Sequence, residues 1–113
     1  MPSLPRIDRH LMRGAATALV LLILRDRPSY GYQIVQDIRS RSKDLFDFSE
    51  GTVYPLLYGL ESDGVIKGQW EDGIGERRRR VYRLTAKGKK ELARRLAAWE
   101  RYEKGMRIAL RNA

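Results

Sequence analysis

The chain has 113 residues, enough for one domain with a buried core, and carries 23 Lys plus Arg against 14 Asp plus Glu, a net charge of +9. With no cysteine, and His10 as its one histidine, it excludes disulfides, thiolate ligands and cysteine nucleophiles and argues against a zinc site or a histidine-based triad. The positive balance speeds encounter with polyanions, whether DNA, RNA or an anionic membrane, without choosing among them.

Residues 1–7, with Pro2 and Pro5, read as an extended arm, either disordered alone or laid across a partner chain. Asp8 is the expected cap of a first helix at 9–26, which contains Leu11, Ala15, Ala18, Leu19, Leu22 and Ile23. A helix apolar on more than one face is buried on several sides. Cover by a second subunit is the preferred reading, and the core of a monomer is the other. The apolar run at 15–24 is too short to span a bilayer. Arg6, Arg9 and Arg13 before it resemble a signal peptide's basic region, but no small-residue cleavage site follows. The expectation is a full-length cytoplasmic chain with no membrane partner.

Pro28 ends the first helix, and Ser29-Tyr30-Gly31-Tyr32 opens a second at 30–40 with Ile34, Val35 and Ile38 on its buried side. Gly31 near a helix start implies close packing against another backbone. Tyr32 reads as a core tyrosine with a satisfied hydroxyl, whereas Ser29 and Tyr30 are placed to reach outward to a phosphate. Residues 41–48 form a polar turn that Leu45, Phe46 and Phe48 pin to the core.

Residues 49–64 are the stretch around which the chain is organised. Val53, Leu56, Leu57 and Leu60 recur at helical spacing and share a face. Ser49 suits an N-cap and Gly64 a C-terminal stop. The other face carries Thr52, Tyr54, Pro55 and Tyr58, too polar for core and too uncharged for plain surface. Hydroxyls and rings so arranged can hydrogen-bond and stack on DNA. Pro55 implies an irregular first turn, with the regular helix starting near Thr52. Two helices joined in this way, the second with the odd exposed face, form a helix-turn-helix pattern.

The period then changes to two. Residues 65–71 read as a strand with Ile66 and Trp70 on one face and Lys67 and Gln69 on the other. Residues 79–84 read as its partner, with Tyr82 and Leu84 inward and Val81 and Arg83 outward. The glycine-containing loop at 72–78 makes this a hairpin with a flexible tip, placed where a winged helix carries its wing. Arg77, Arg78, Arg79 and Arg80 either lie against phosphate or a minor groove or answer Glu71, Asp72 and Glu76 on a solvated turn. Beside a winged-helix pattern, the first reading is preferred. Thr85 can cap a last helix at 86–109, on which Leu92, Leu96, Trp99, Met106 and Leu110 make a heptad-like seam interrupted at Glu103. Leu92 and Leu96 fit either this chain's own domain or a partner. The part from Trp99 onward fits pairing across a twofold axis.

These residues resemble the PadR family of bacterial transcriptional regulators. The resemblance rests on Gly31-Tyr32, on Glu50-Gly51-Thr52-Val53-Tyr54-Pro55-Leu56-Leu57, on Leu60-Glu61-Ser62-Asp63-Gly64, and on Arg80-Val81-Tyr82-Arg83-Leu84-Thr85-Ala86-Lys87-Gly88. It spans roughly residues 19–92, and the string at 50–57 is its most specific part. The resemblance implies a mainly α fold with a two-stranded β-wing: a winged helix-turn-helix with an N-terminal arm at 1–85, then a C-terminal dimerisation helix at 86–113. It also implies a dimeric regulator, a repressor by default, of the branch that ends after one C-terminal helix. Some members bind flat aromatic effectors near the dimer centre. Trp99 and Tyr102 sit where such a ligand could stack, although packing is the preferred role for Trp99.

The expected partners are double-stranded DNA, a second copy of the chain and a small aromatic effector, with no cofactor and no metal. Ser29, Tyr30, Ser49, Gly51, Thr52, Tyr54, Pro55, Tyr58, Lys67, Arg77, Arg78, Arg79 and Arg80 are the expected DNA contacts. Leu11, Ala15, Leu92, Leu96, Trp99, Met106 and Leu110 are the expected dimer contacts. A small basic RNA-binding protein, reading shape and stacking, or a protein-interaction winged helix is the competing reading. An enzyme has the least support, because no carboxylate pair or phosphate loop stands out, and Gly73-Ile74-Gly75 is too short to count as one.

Overall fold

The computed structural model describes residues 9–72 and 78–112, with side chains from residue 14 onward. The expected arm, the Asp8 cap, the hairpin tip with Arg77, and the Leu11 side chain lie outside the described residues.

Four helices and three strands follow one another along the chain: α1 (Arg9–Asp26), β1 (Ser29–Tyr30), α2 (Gly31–Arg41), α3 (Glu50–Ser62), β2 (Ile66–Asp72), β3 (Arg78–Leu84) and α4 (Ala86–Arg111). The sheet is antiparallel in the order β1-β3-β2. β1 is a strand that the sequence reading folded into the second helix. It is two residues long, too short for a periodic signal. It pairs Ser29 with Tyr82 and Tyr30 with Val81. The hairpin itself pairs Ile66 with Leu84 through to Asp72 with Arg78. This register places Gly68, Trp70, Arg80 and Tyr82 on one face and Lys67 and Arg83 on the other.

The core is made where α1, α2, α3 and the sheet converge. Val20, Leu21, Ile34, Ile38, Val53, Leu57, Ile66 and Tyr82 are almost wholly buried there. Each α3 residue expected to face inward does so, with Leu56 half-buried and packed at the core's edge. Phe48 is buried, and Phe46 stacks on it at 6.1 Å between ring centroids, so the connector at 42–49 is held as expected. Lys43 and Asp44 carry φ of 52° and 67°, which turns the chain sharply between α2 and α3.

The ends of α3 follow its sequence. The Ser49 hydroxyl accepts from the Thr52 N–H at 3.2 Å, satisfying one of the donors that a helix start leaves free. At the other end the Gly64 N–H donates to Glu61 and the Val65 N–H to Leu60, at 3.0 and 3.1 Å. This crossed pair requires a left-handed residue, and Gly64 has φ of +78°. Helix α3 starts at Glu50 rather than near Thr52. Pro55 therefore lies beyond the first turn and leaves the Gly51 carbonyl without its helical donor.

Helix α4 begins on the same junction. The Thr85 hydroxyl accepts from the Gly88 N–H at 3.0 Å and donates to the Gly64 carbonyl at 2.7 Å. The Lys87 ammonium donates to the Asp63 carbonyl at 2.7 Å. The stop of α3 and the start of α4 are thereby fastened together, and α4 packs back on α1 through Leu92 and Leu96.

That packing changes the reading of α1. Ala15, Ala18, Leu21 and Leu24 are buried by elements of the same chain, and Leu19 and Leu22 are half-buried. Ala15 and Leu92, expected at a dimer contact, are each 3% exposed in the single chain. The reason is that α1 is central and α4 folds over it. Beyond Trp99 the situation reverses: Trp99, Tyr102, Met106, Ile108 and Leu110 are 40–67% exposed.

Candidate nucleic-acid interface

The outward face of α3 and the hairpin's Arg80 and Trp70 face converge on one cleft of about 540 Å³. Tyr54 and Tyr58 line it from α3, Tyr30 and Gly31 from the start of α2, and Trp70, Arg78, Arg79 and Arg80 from the hairpin. Helix geometry explains the first pair: residues four apart stand one above the other on a helix face. Strand alternation explains why Trp70 and Arg80, a cross-strand pair, reach the cleft together.

The two tyrosines differ in role. Tyr58 is 59% exposed. Tyr54 is half-buried and lies against the start of α2, where a Cβ on Gly31 would come within 2.6 Å of its ring. Gly31 is thus needed for close approach, but to a ring rather than to the backbone the sequence reading expected. Burial pushes the Tyr54 phenol above its ordinary pKa, with the Glu50 carboxylate and Tyr58 adding to the shift. Thr52 is exposed, and its hydroxyl shares a 3.2 Å hydrogen bond with that of Ser49. Gly51 and Pro55 are exposed beside them.

Two residues near the second helix stand opposite to expectation. Ser29 is buried, and its hydroxyl donates to the Arg27 carbonyl at 3.2 Å, because β1 turns it into the sheet. It does not reach outward. Tyr32, read as core, is 51% exposed. Helix periodicity explains it: Tyr32 stands roughly opposite the buried Gly31, Ile34 and Ile38 side of α2, while Tyr30 caps the helix, its N–H donating to Gln33 at 3.2 Å. Tyr30 remains partly exposed, with the Arg79 guanidinium 4.8 Å from its ring centre.

The arginines also separate. None of the ion pairs formed among the described residues uses Arg78 or Arg79. Arg78 lies over Trp70 at 5.5 Å. Arg80 instead donates to the Glu61 carboxylate at 2.5 Å, which raises its pKa further above the ordinary guanidinium value. The expected answering carboxylates were Glu71, Asp72 and Glu76; Glu71 faces Arg83 at 3.7 Å. Lys67 is exposed, but on the hairpin face opposite Trp70 and Arg80. Trp70 and Glu61 are cleft residues that the reading by sequence omitted. The parity of the strands carried the signal for Trp70. Nothing local carried it for Glu61.

A second group of cavities lies where α4 leaves α1. One, of about 410 Å³, is walled by Gly14, Arg94, Arg95, Trp99 and Tyr102. An adjoining apolar one of about 280 Å³ lies between Leu19, Leu22, Phe46, Leu96 and Trp99. Trp99 and Tyr102 meet edge to face at 5.4 Å. Among the described residues no cluster of acidic or histidine side chains could hold a metal, and no helix is long and apolar enough to cross a membrane.

A helix with this exposed face, set after a shorter helix and followed at once by a basic hairpin, is a winged helix with a C-terminal helical extension. Comparison with known proteins agrees. Residues 20–94 match the transcriptional regulator PadR-like family, and the chain belongs to that family, whose members are regulators and not enzymes. It is 32% identical over 84 residues to the transcriptional regulator Rv3488 of Mycobacterium tuberculosis, covering 74% of this chain and 75% of that protein. Among solved structures, a transcriptional regulator from Clostridium thermocellum superposes with a TM-score of 0.82 at 31% identity, covering 90% of this chain and 96% of that one. A PadR family regulator from Eggerthella lenta gives 0.78 at 34% identity, covering 89% and 86%.

Proposed function

We propose that this regulator is a cytoplasmic repressor that binds a pseudo-palindromic DNA operator as a homodimer. Residues 1–85 form its DNA-binding unit and 86–113 its dimerisation helix. The observation that carries the proposal is the cleft that Tyr54 and Tyr58 line together with Arg78 and Arg79. It offers hydroxyl and ring edges for bases beside cations for phosphate, the two kinds of contact that specific binding combines.

In this reading one α3 per subunit enters the major groove, with half-sites about one helical turn apart. Thr52, Tyr58 and Pro55 meet base edges, Gly51 and Ser49 bring the start of α3 close to a phosphate, and Tyr30, Lys67 and Arg77 to Arg79 bind the backbone. Tyr54 joins from its packed position against Gly31. The second copy covers Trp99, Met106 and Leu110, continuing the seam that Leu96 begins. A flat aromatic effector stacks on Trp99 and Tyr102 and changes the angle between the two winged helices. It acts only if it binds one arrangement better than the other.

The test is selection of bound sequences from a random double-stranded library near physiological salt, with an RNA pool as competitor. An inverted repeat is the expected product. Recovery of no consensus, with RNA competing fully, would replace this reading by the RNA-binding one.

A further inference from the structure

Glu61 is an acid in a face built to meet a polyanion. It stands in the last turn of α3, and its carboxylate oxygen Oε2 accepts two hydrogen bonds: from the Arg80 guanidinium at 2.5 Å and from the Gly68 N–H at 3.0 Å. The first donor belongs to β3 and the second to β2. One carboxylate therefore ties the reading helix to both strands of the wing. Both partners are largely covered, the Arg80 side chain 28% and the Glu61 side chain 26% exposed. Arg80 is also held over two rings, 5.4 Å from Trp70 and 5.9 Å from Tyr82. Position 68 accommodates this path, since a Cβ there would come within 2.6 Å of Arg80 Nε.

A charge-assisted, partly desolvated contact of this kind fixes geometry better than a solvated pair does. It also carries an electrostatic cost toward DNA, because it adds one negative charge and withdraws one positive charge from the surface. We propose that Glu61 and Arg80 are positioning residues that set the wing's place against α3, and so operator discrimination, with Arg80 making no phosphate contact. The proposal rests on the DNA-binding reading above, and it removes Arg80 from the expected phosphate contacts.

The two roles predict opposite signs. If Glu61 is merely a charge and Arg80 a phosphate contact, Glu61→Gln frees the guanidinium and tightens binding to any DNA. If the pair positions the wing, Glu61→Gln weakens operator binding while leaving random DNA unchanged or slightly tighter.

The experiment measures dissociation constants of the full chain for the selected operator and for a scrambled duplex of equal length, across a salt series. It compares wild type with Glu61→Gln, Arg80→Gln, Arg80→Lys and Arg78→Gln. Circular dichroism first checks that each variant is folded. The expected result is a loss of about tenfold in the operator-to-scrambled ratio for Glu61→Gln and Arg80→Gln. Arg80→Lys keeps the charge but not the forked geometry, and does not restore the ratio. The slope of log K against log salt changes by about 0.9 per lost phosphate contact for Arg78→Gln but not for Arg80→Gln. Equal tightening on both duplexes by Glu61→Gln, or full rescue by Arg80→Lys, would overturn the proposal. A wild type that does not distinguish the two duplexes would overturn the DNA-reading function, and the positioning role with it.

Discussion

Gly88→Ala is the sharpest probe of how the DNA-facing unit joins the C-terminal helix. A Cβ built on Gly88 would lie 2.0 Å from the Val65 carbonyl oxygen and 2.7 Å from Leu84 Cδ1. The carbonyl cannot turn aside freely, because it accepts the Thr85 N–H at 3.2 Å and sits just before β2. Relief therefore requires the start of α4 to lift off the sheet by roughly 1 Å or more, losing close contacts that are each small but many. Overpacking of this kind costs about 1–3 kcal/mol, against at most ~1 kcal/mol gained from alanine's helix propensity. A net loss of about 1–2 kcal/mol lowers the melting temperature of a domain this size by roughly 4–8 °C. Gly105→Ala supplies the control: nothing lies within 4 Å of its added Cβ, so the same change should hold or raise stability by up to ~1 kcal/mol. Thermal melts followed by circular dichroism read both. Equal behaviour of the two variants would refute the claim that Gly88 marks a backbone-to-backbone contact.

Three further outcomes are expected. Tyr58→Ala should lower the preference for operator over random DNA while changing stability by no more than about 0.5 kcal/mol, whereas Tyr54→Ala should also destabilise the fold because its ring packs against Gly31; equal losses on both DNAs would count against either as a base reader. Trp99→Ala should weaken dimerisation by roughly 2 kcal/mol, about thirtyfold in the dissociation constant, and an unchanged value in analytical ultracentrifugation would place the dimer contact elsewhere. The Tyr54 and Tyr82 phenols are raised above the ordinary 10.0 mainly by burial, so the folded chain holds these protons more tightly than the unfolded one. The stability this supplies is fully present below pH 10 and is lost as pH rises through the higher folded values; urea midpoints should fall over that range, and midpoints flat with pH would contradict it.

What the sequence made legible was whatever is written in periodicity or at helix ends. The inward face of α3, the Ser49 and Thr85 caps and the Gly64 stop each depend on residues within one turn of each other. The two-residue β1 was not legible, since its partner Tyr82 lies more than fifty positions away and its existence is a property of the sheet. Missing β1 had a consequence. It placed Ser29 outside, when the sheet turns it inward; Tyr32 is a different case, since its position opposite Ile34 and Ile38 on α2 was legible in the helical period. Burial of Ala15 and Leu92 was likewise a matter of where α4 returns, which no local pattern states.

The arginine run shows the same limit at the site. In sequence Arg78, Arg79 and Arg80 are equivalent charges. Strand alternation already divides them: Arg79 leaves the strand on the other face and reaches the cleft's edge over Tyr30. A carboxylate nineteen positions earlier then separates Arg80 from Arg78, which shares its face. Charge density alone therefore overstates the cation available to phosphate, and a count of free guanidinium groups must wait for the register.

The far half of α4 poses a different problem. Every described residue from 97 to 112 is exposed, and past Trp99, which borders α1, the described residues give that stretch little packing. Most helical stability in proteins comes from packing an amphipathic face rather than from propensity. The Glu103–Arg107 pair is a surface contact at 3.6 Å, and such pairs contribute about 0.3–0.5 kcal/mol. Trp99, Tyr102, Met106 and Leu110 follow one another at spacings of three or four, which keeps them on one stripe. The stripe leaves this half of the helix an apolar surface for a second copy to cover. In the proposed dimer, the contact that fixes the spacing of the two reading helices is thus also the contact that keeps the end of α4 helical.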